Sequence, residues 1–323
     1  MPRKTLLFGN GLGLALSDQA FSLDSALDVV WRDENALSAE QRELIRGCLP
    51  SDTELQRPSS EDDLDMLQRV LASCDFLDSI AIDGEAHWLS IEGREFPAAI
   101  RRFVHRVACC FHNTGYELPR SFSDPLQKFV HDTKSHVATV NYDPLLYDSF
   151  LRSRVLSGYS GDLIDGVTNA GFRPANLFRR DPERLGWYLH LHGSPLFYDG
   201  DDGRVRKMGR GSLVGGVVDS THLVLTHVRH KSAIISSSEI LSEYWSYFEH
   251  ALKESREVII FGYSGYDTHL NEILARFSNK VRMRVVEWSR SQPGMNRTGY
   301  WFEKLKSDID LVQLEDVLSF TDW

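Results

Sequence analysis

Asn141, Asp143 and His192 each follow an apolar run that reads as a strand. His136-Val137-Ala138-Thr139-Val140 gives way to Asn141-Tyr142-Asp143-Pro144, and Trp187-Tyr188-Leu189-His190-Leu191 gives way to His192-Gly193-Ser194-Pro195. An amide offers a donor and an acceptor on one rigid plane, and a neutral histidine takes a proton from a hydroxyl or a water. Two more apolar runs end alike. Thr5-Leu6-Leu7-Phe8 stops at Gly9-Asn10-Gly11-Leu12-Gly13, and Val258-Ile259-Ile260-Phe261 breaks at Gly262-Tyr263-Ser264-Gly265-Tyr266-Asp267. Backbone N–H groups from Asn10 to Gly13, at a helix start, are expected to bind an anion without Lys or Arg, although Leu14 stands where the last glycine of G-x-G-x-x-G would be. Taken singly, each motif has a plain alternative: a tight connection, a structural histidine, an Asx turn before a helix. Their shared place after strands is what joins them.

Strands that alternate with helices imply a mostly parallel sheet with right-handed crossovers, whose ligands bind at the carboxyl ends of the strands. The expected fold is α/β, a Rossmann-like parallel sheet built from residues 1–21 and 133–323, with residues 22–132 as a helical insertion. In the insertion one helix is expected to open at Ser59 or Ser60 and carry Leu64, Leu67, Val70 and Leu71, and another to start near Pro97. Residues 157–185 read as an extended loop, Asp199-Gly200-Asp201-Asp202-Gly203 as a polar hairpin, and Leu223-Val224-Leu225 as a strand. Ser236 to Ser238 offer a helix cap, Val285-Val286 a further strand, and Trp301-Phe302 and Leu311–Leu314 a closing helix and strand.

Charged residues make up 25% of the 323 and hydrophobic ones 42%, the balance of a globular chain rather than a disordered one. A net charge of −10 opposes nucleic-acid or anionic-membrane binding. No apolar run reaches the length of a membrane span, and Gly9 and Asn10 cut the N-terminal run short of a signal-peptide core, so a cytoplasmic location is expected. The four cysteines, Cys48, Cys74, Cys109 and Cys110, form no C-x-x-C pair, and His222, His227 and His230 lack a metal-ligand spacing, so no metal is expected.

The order Gly9-Asn10-Gly11, Thr139-Val140-Asn141-Tyr142-Asp143, Leu191-His192-Gly193 and Gly262-Tyr263-Ser264 resembles the sirtuin signature of glycine-rich loop, T-x-N-x-D, H-G and G-x-S. More closely, it resembles the sirtuin-like enzymes of bacterial antiviral defence, which hydrolyse NAD. The resemblance covers residues 1–18 and about 133–290. It departs from the deacylases twice. Their D-F-R triplet is replaced by Ala20-Phe21-Ser22, where only the aromatic survives, and the cysteines do not build their zinc ribbon.

The resemblance implies NAD as substrate, cleaved to nicotinamide and ADP-ribose, with depletion of NAD in abortive infection as the outcome. The alternatives are a module that binds NAD or ADP-ribose to regulate a partner, and an ADP-ribosyl transferase or deacylase. Cleavage at the ribose passes through an oxocarbenium-like state with a cationic leaving group, so no acid is needed to expel it. Asn141 is then expected to hold a ribose hydroxyl and an ordered water, His192 to accept a proton, and Asp143 to orient the loop. Gly9 to Gly13 are assigned to the pyrophosphate, Gly262, Ser264 and Asp267 to the adenosine side, and Glu287 to a ribose diol, with Phe21 and Thr139 carried over from the motif. Lys231 reads as solvated or as a phosphate contact. Unrestrained loss of NAD would kill the host, and only a short stretch follows Val286. Control is therefore expected from homo-oligomer assembly, from the helical block, or from a partner ATPase or sensor.

Overall fold

In the computed structural model, residues 2–49, 55–80, 90–209, 213, 222–292 and 294–323 are described. The chain begins with strand β1 (Thr5–Phe8), a one-turn helix α1 (Gly11–Leu14) and a second short helix α2 (Asp18–Phe21). Five more helices follow before the next strand: α3 (Leu23–Arg32), α4 (Ala39–Gly47), α5 (Leu64–Ser79), α6 (Ile91–His112) and α7 (Arg120–Thr133). Next come β2 (His136–Thr139), α8 (Leu145–Arg152), the two-residue strands β3 (Leu163–Ile164), β4 (Val167–Thr168) and β5 (Gly171–Phe172), and β6 (Gly186–His190). The rest comprises β7 (Phe197–Asp199), β8 (Val205–Lys207), α9 (Val228–Ser237), α10 (Glu239–Glu254), β9 (Glu257–Phe261), α11 (Thr268–Phe277), β10 (Arg282–Trp288), α12 (Arg297–Leu305) and β11 (Asp310–Leu314).

Seven strands form one parallel sheet in the order β11-β10-β9-β1-β2-β6-β3, as the α/β reading required. β1 sits between β2 and β9, with Phe8 in register with Thr139 on one side and Phe261 on the other. The chain builds outward through β2 and β6, then returns to β9 on the opposite flank, so the crevice beyond β1 is the topological switch point.

Side chains alternate along each strand, and both faces are covered. Leu6, Phe8, Val137, Ile259 and Phe261 share a core with the helical block, whose Leu27, Leu64, Leu67, Ile100 and Phe103 pack in the same cluster. Leu7, Ala138, Val258 and Ile260 face the other way, against Ile240, Tyr244 and Phe248 of α10 and Leu270 and Leu274 of α11. Trp323 closes the first core, its ring about 5–6 Å from those of Phe8, Phe122, Phe261 and Phe320.

Several local expectations need correction. The helix carrying Leu64 does not start at Ser59 or Ser60. Asp63 accepts hydrogen bonds from both of their backbone N–H groups and both hydroxyls, which holds them in a turn ahead of the helix. Pro97 lies inside α6, whose cap is Ser90, donated to by Gly93 N–H. Residues 157–185 are not a plain loop, because β3 adds an edge strand beside β6 and β4 pairs with β5. Leu223 makes only an isolated antiparallel bridge to Gly193, and no strand forms there. The hairpin around Gly203, the Ser238 cap and the closing helix and strand are present.

Candidate functional site

A cleft of about 1000 Å³ opens over the carboxyl ends of β1, β2, β6, β9 and β10, at the upper end of the size range of small-molecule sites. Asn10, Gly11, Asn141, Asp143, His192, Gly262, Ser264, Asp267 and Glu287 all line it. Gly9, Leu12, Gly13, Phe21 and Thr139 do not line it and stand one step behind. Gly9 O accepts from Asn141 Nδ2 at 3.0 Å, Thr139 Oγ1 accepts from Asn141 N–H at 3.0 Å, and Phe21 O accepts from Asn10 Nδ2 at 2.9 Å. Leu12 is buried in the core, and Gly13 lies under the Phe21 ring, where a Cβ would come within 2.7 Å of it.

The two glycine loops are built against each other. Gly11 N–H donates to Gly262 O at 2.7 Å, a Cβ on Gly11 would meet Gly262 Cα at 2.7 Å, and Gly262 takes a φ of +61°. That contact corrects the expected anion cradle. The Gly11 N–H is spent on Gly262, the Leu12 N–H on Gly9 O at 3.2 Å, and α1 is one turn long. Of the four backbone donors only those of Asn10 and Gly13 lack a partner among the described residues, and Gly13 does not reach the cleft.

Asn141 is fixed by the bonds to Gly9 and Thr139, yet its Oδ1 is buried without a partner. Asp143 is similar: Oδ1 accepts from Leu145 N–H at 3.0 Å while Oδ2 is buried and unpaired. Burial pushes the Asp143 carboxyl up to about 6. Two orphaned acceptors on one wall of a cleft are costly in the free protein and suit a ligand that brings hydroxyls.

His192, just past the end of the neighbouring strand β6, is buried at 5% exposure, with Nε2 2.8 Å from Asp267 Oδ2. The sequence places Asp267 on the adenosine side, but both its oxygens are engaged: Oδ1 caps α11 through Leu270 N–H, and Oδ2 meets His192 and the Lys231 ammonium at 3.3 Å. Burial alone would raise its pKa; the His192 hydrogen bond and the Lys231 charge outweigh that and hold the carboxylate well below its usual range. Lys231 is neither solvated nor free for a phosphate. It is buried between Asp267 and Glu61 Oε2, the latter at 3.0 Å. Burial would lower its pKa, and the two carboxylates raise it instead.

Glu287 lines the cleft, but its carboxylate already accepts from Arg297 at 2.6 and 3.0 Å, Trp301 Nε1 at 3.0 Å and Gln313 Nε2 at 3.0 Å. A ribose diol would share a carboxylate that is already neutralised. Ser264 remains exposed at the cleft, its carbonyl held by the Tyr300 hydroxyl. Lys231 as a buried partner, Glu61 and Arg297 were not legible as site residues. Glu61 belongs to the helical block and Arg297 opens α12 between β10 and β11, and no local motif marks either.

Among the described residues no group of three His, Cys, Asp or Glu side chains is placed to hold a metal, and no helix is long and apolar enough to cross a membrane. The four cysteines are unbonded, and burial pushes the Cys109 and Cys110 thiols up to about 12 and about 11. Residues 135–288 match the family model of the SIR2-like domain. No curated protein matches the chain.

Proposed function

With residues 135–288 a SIR2-like domain, which makes the chain sirtuin-like, and with such domains using NAD, we propose that the protein is an NAD glycohydrolase giving nicotinamide and ADP-ribose. The observation that supports this most directly is one cleft, large enough for a dinucleotide, that joins a buried His192–Asp267 pair to the unpartnered Oδ1 of Asn141.

Each residue then has a task its geometry fits. Asp267 takes the Nε2 proton position of His192, which leaves Nδ1 as the ring nitrogen with a lone pair and without a protein partner among the described residues. Nδ1 accepts the proton of a ribose hydroxyl or of the water that adds at the anomeric carbon. Asn141 Oδ1 accepts from a ribose hydroxyl and sets the sugar's angle, and Asp143 Oδ2, unpaired on the same loop, takes a second hydroxyl or holds the water. The nicotinamide departs neutral, so the balance is NAD plus water giving ADP-ribose, nicotinamide and one proton. Asn10 and Ser264 on the two glycine loops line the same cleft and offer polar contacts for the phosphates and the adenosine side.

Incubating the purified chain with NAD and separating the products tests this. Nicotinamide and ADP-ribose in equal amounts are expected; binding of NAD without product would make the cleft a sensor and overturn the assignment. We further propose that the activity serves antiviral NAD depletion in the cytoplasm, in a homo-oligomer whose rate rises with a partner ATPase or sensor. A fully active monomer unaffected by any partner would refute that control.

A further inference from the structure

The proposed reaction accounts for His192 and Asp267 but leaves unexplained why a lysine is buried behind them. Lys231 has a side chain only 4% exposed, and its ammonium is shared between two carboxylates from different parts of the fold: Asp267, which also holds His192, and Glu61, which precedes α5 in the helical block. The turn carrying Glu61 is pinned. Glu61 O accepts from Leu64 N–H at 3.1 Å, and Asp63 closes on Ser59 and Ser60 with Oδ2. The same two elements are joined again at the edge of the cleft, where His230 Nε2 lies 2.7 Å from Asp65 and His227 Nε2 3.5 Å from Asp62.

We propose that Glu61 and Lys231 are positioning residues, linking the helical block to the catalytic histidine through one chain of contacts, Glu61–Lys231–Asp267–His192. The proposal rests on the NAD-cleaving reading of the same site. The charge count gives it a direction. With Glu61 in place and His192 neutral, the linked group carries two negative charges and one positive; a proton arriving on His192 brings it to zero. Without the Glu61 charge, that proton leaves the group positive in a low-dielectric setting, which opposes protonation. Docking of the helical block thus makes His192 the better base, and displacement of that block weakens it without touching the substrate.

The other titratable groups around the chain are the same in every variant tested. They are Tyr142, whose ring is 6.4 Å from that of His192, Tyr263, Asp143, His269 on α11, His227 and His230 on α9, and Asp62 and Asp65 on the helical block. Burial raises Tyr142 and Tyr263 well above the usual tyrosine range, so neither titrates near neutrality.

The experiment follows the His192 imidazole by NMR titration in the full chain and measures NAD turnover against pH, for wild type, Glu61→Gln and Lys231→Met. Glu61→Gln is isosteric at a half-exposed position, and it is expected to move the His192 titration and the acidic limb of turnover to lower pH by about half a unit or more. The same variant should lower plateau kcat about three- to tenfold, with KM within about twofold of wild type. Lys231→Met should move the His192 titration and the acidic limb the other way. Lys231→Arg, which keeps the charge, should leave both nearer to wild type, and Glu117→Gln, which breaks an exposed pair with Arg152, should change nothing. A purely structural role would shift both variants alike. His192 titrations that coincide with wild type, or that move in one common direction, would overturn the proposal. If the wild type does not cleave NAD, the functional reading fails, and the NMR titration still decides the linkage.

Discussion

His192 Nε2 sits 2.8 Å from Asp267 Oδ2, two residues 75 apart in the chain, and that pairing selects which imidazole nitrogen keeps its lone pair. An anionic carboxylate only accepts, so Nε2 carries the hydrogen and Nδ1 the lone pair. Asp267→Asn keeps the cap on Leu270 N–H but replaces Oδ2 by an amide able to donate, which favours the opposite tautomer. Turnover of NAD should fall by about 10²- to 10⁴-fold, the scale seen when a catalytic histidine loses its orienting carboxylate. The cap survives, but the buried Lys231 loses one of its two carboxylates, so the thermal midpoint should fall and the rates are compared on folded protein. A variant with near-normal kcat would remove Asp267 from the machinery.

Asn141→Ala and His192→Ala should each cost at least about a hundredfold in NAD turnover, the usual scale for a positioned polar or acid–base group. Asp143→Ala should be milder, since one of its oxygens already caps Leu145 N–H and the proposed reaction gives it no proton to move. Asn141→Ala also removes the tie from Nδ2 to Gly9 O, so part of its effect belongs to the glycine loop. Steady-state rates at saturating NAD check the assignment, and near-normal rates in both main variants would sink it.

Asp143 offers a pH test that needs no substrate. Its folded carboxyl is raised by burial to about 6, above the roughly 4 of an unfolded aspartate. Between those values the folded state binds the proton and the unfolded state does not, so this group's contribution to stability declines as pH rises from about 4 to 6 and stays low above it. Asp143→Asn keeps the acceptor for Leu145 N–H and removes the buried charge. The variant should therefore gain on wild type across that window, reaching on the order of 1–3 kcal/mol at pH 7. Urea denaturation at pH 4 and pH 7 measures it; an equal difference at both values would contradict the cause. A gain in stability with a loss of activity would mark Asp143 as strained for function.

What the sequence disclosed and what it hid divide along a physical line. Strand ends are local features: an apolar run followed by glycine, amide or histidine marks a sheet edge, and Asn141, His192 and Gly262 all line the cleft. Contacts between distant segments leave no such mark. Lys231 looks solvated beside Arg229 and His230, and only the fold shows that Glu61 and Asp267 enclose it. Backbone donors are hidden for the same reason. Gly9 to Gly13 read as an open cradle until Gly262 O is seen taking the Gly11 N–H. Pro97 misled because proline usually opens a helix, whereas here the Ser90 cap starts α6 earlier.

Gly193 follows His192 and should tolerate no side chain. Its φ is +81°, and a Cβ built there would stand 1.8 Å from His222 O, inside any contact distance. The backbone must come that close because Gly193 bridges Leu223 and Val224 N–H donates to His192 O at 3.0 Å, a pairing that holds His192 over the cleft. Gly193→Ala must therefore break this bridge or strain it. Gly203, in the exposed β7–β8 hairpin, separates the two costs: its φ is +70°, and nothing lies within 4 Å of its Cβ position. Gly203→Ala should lose only the left-handed penalty, about 1 kcal/mol, while Gly193→Ala should lose about 2–4 kcal/mol. The two also differ in function, since movement of the His192 backbone should cut NAD turnover at least about tenfold in Gly193→Ala and leave Gly203→Ala unaffected. Urea denaturation beside the rate assay measures both quantities. Equal losses of stability in the two variants, with turnover intact, would mean that this close approach does not set His192.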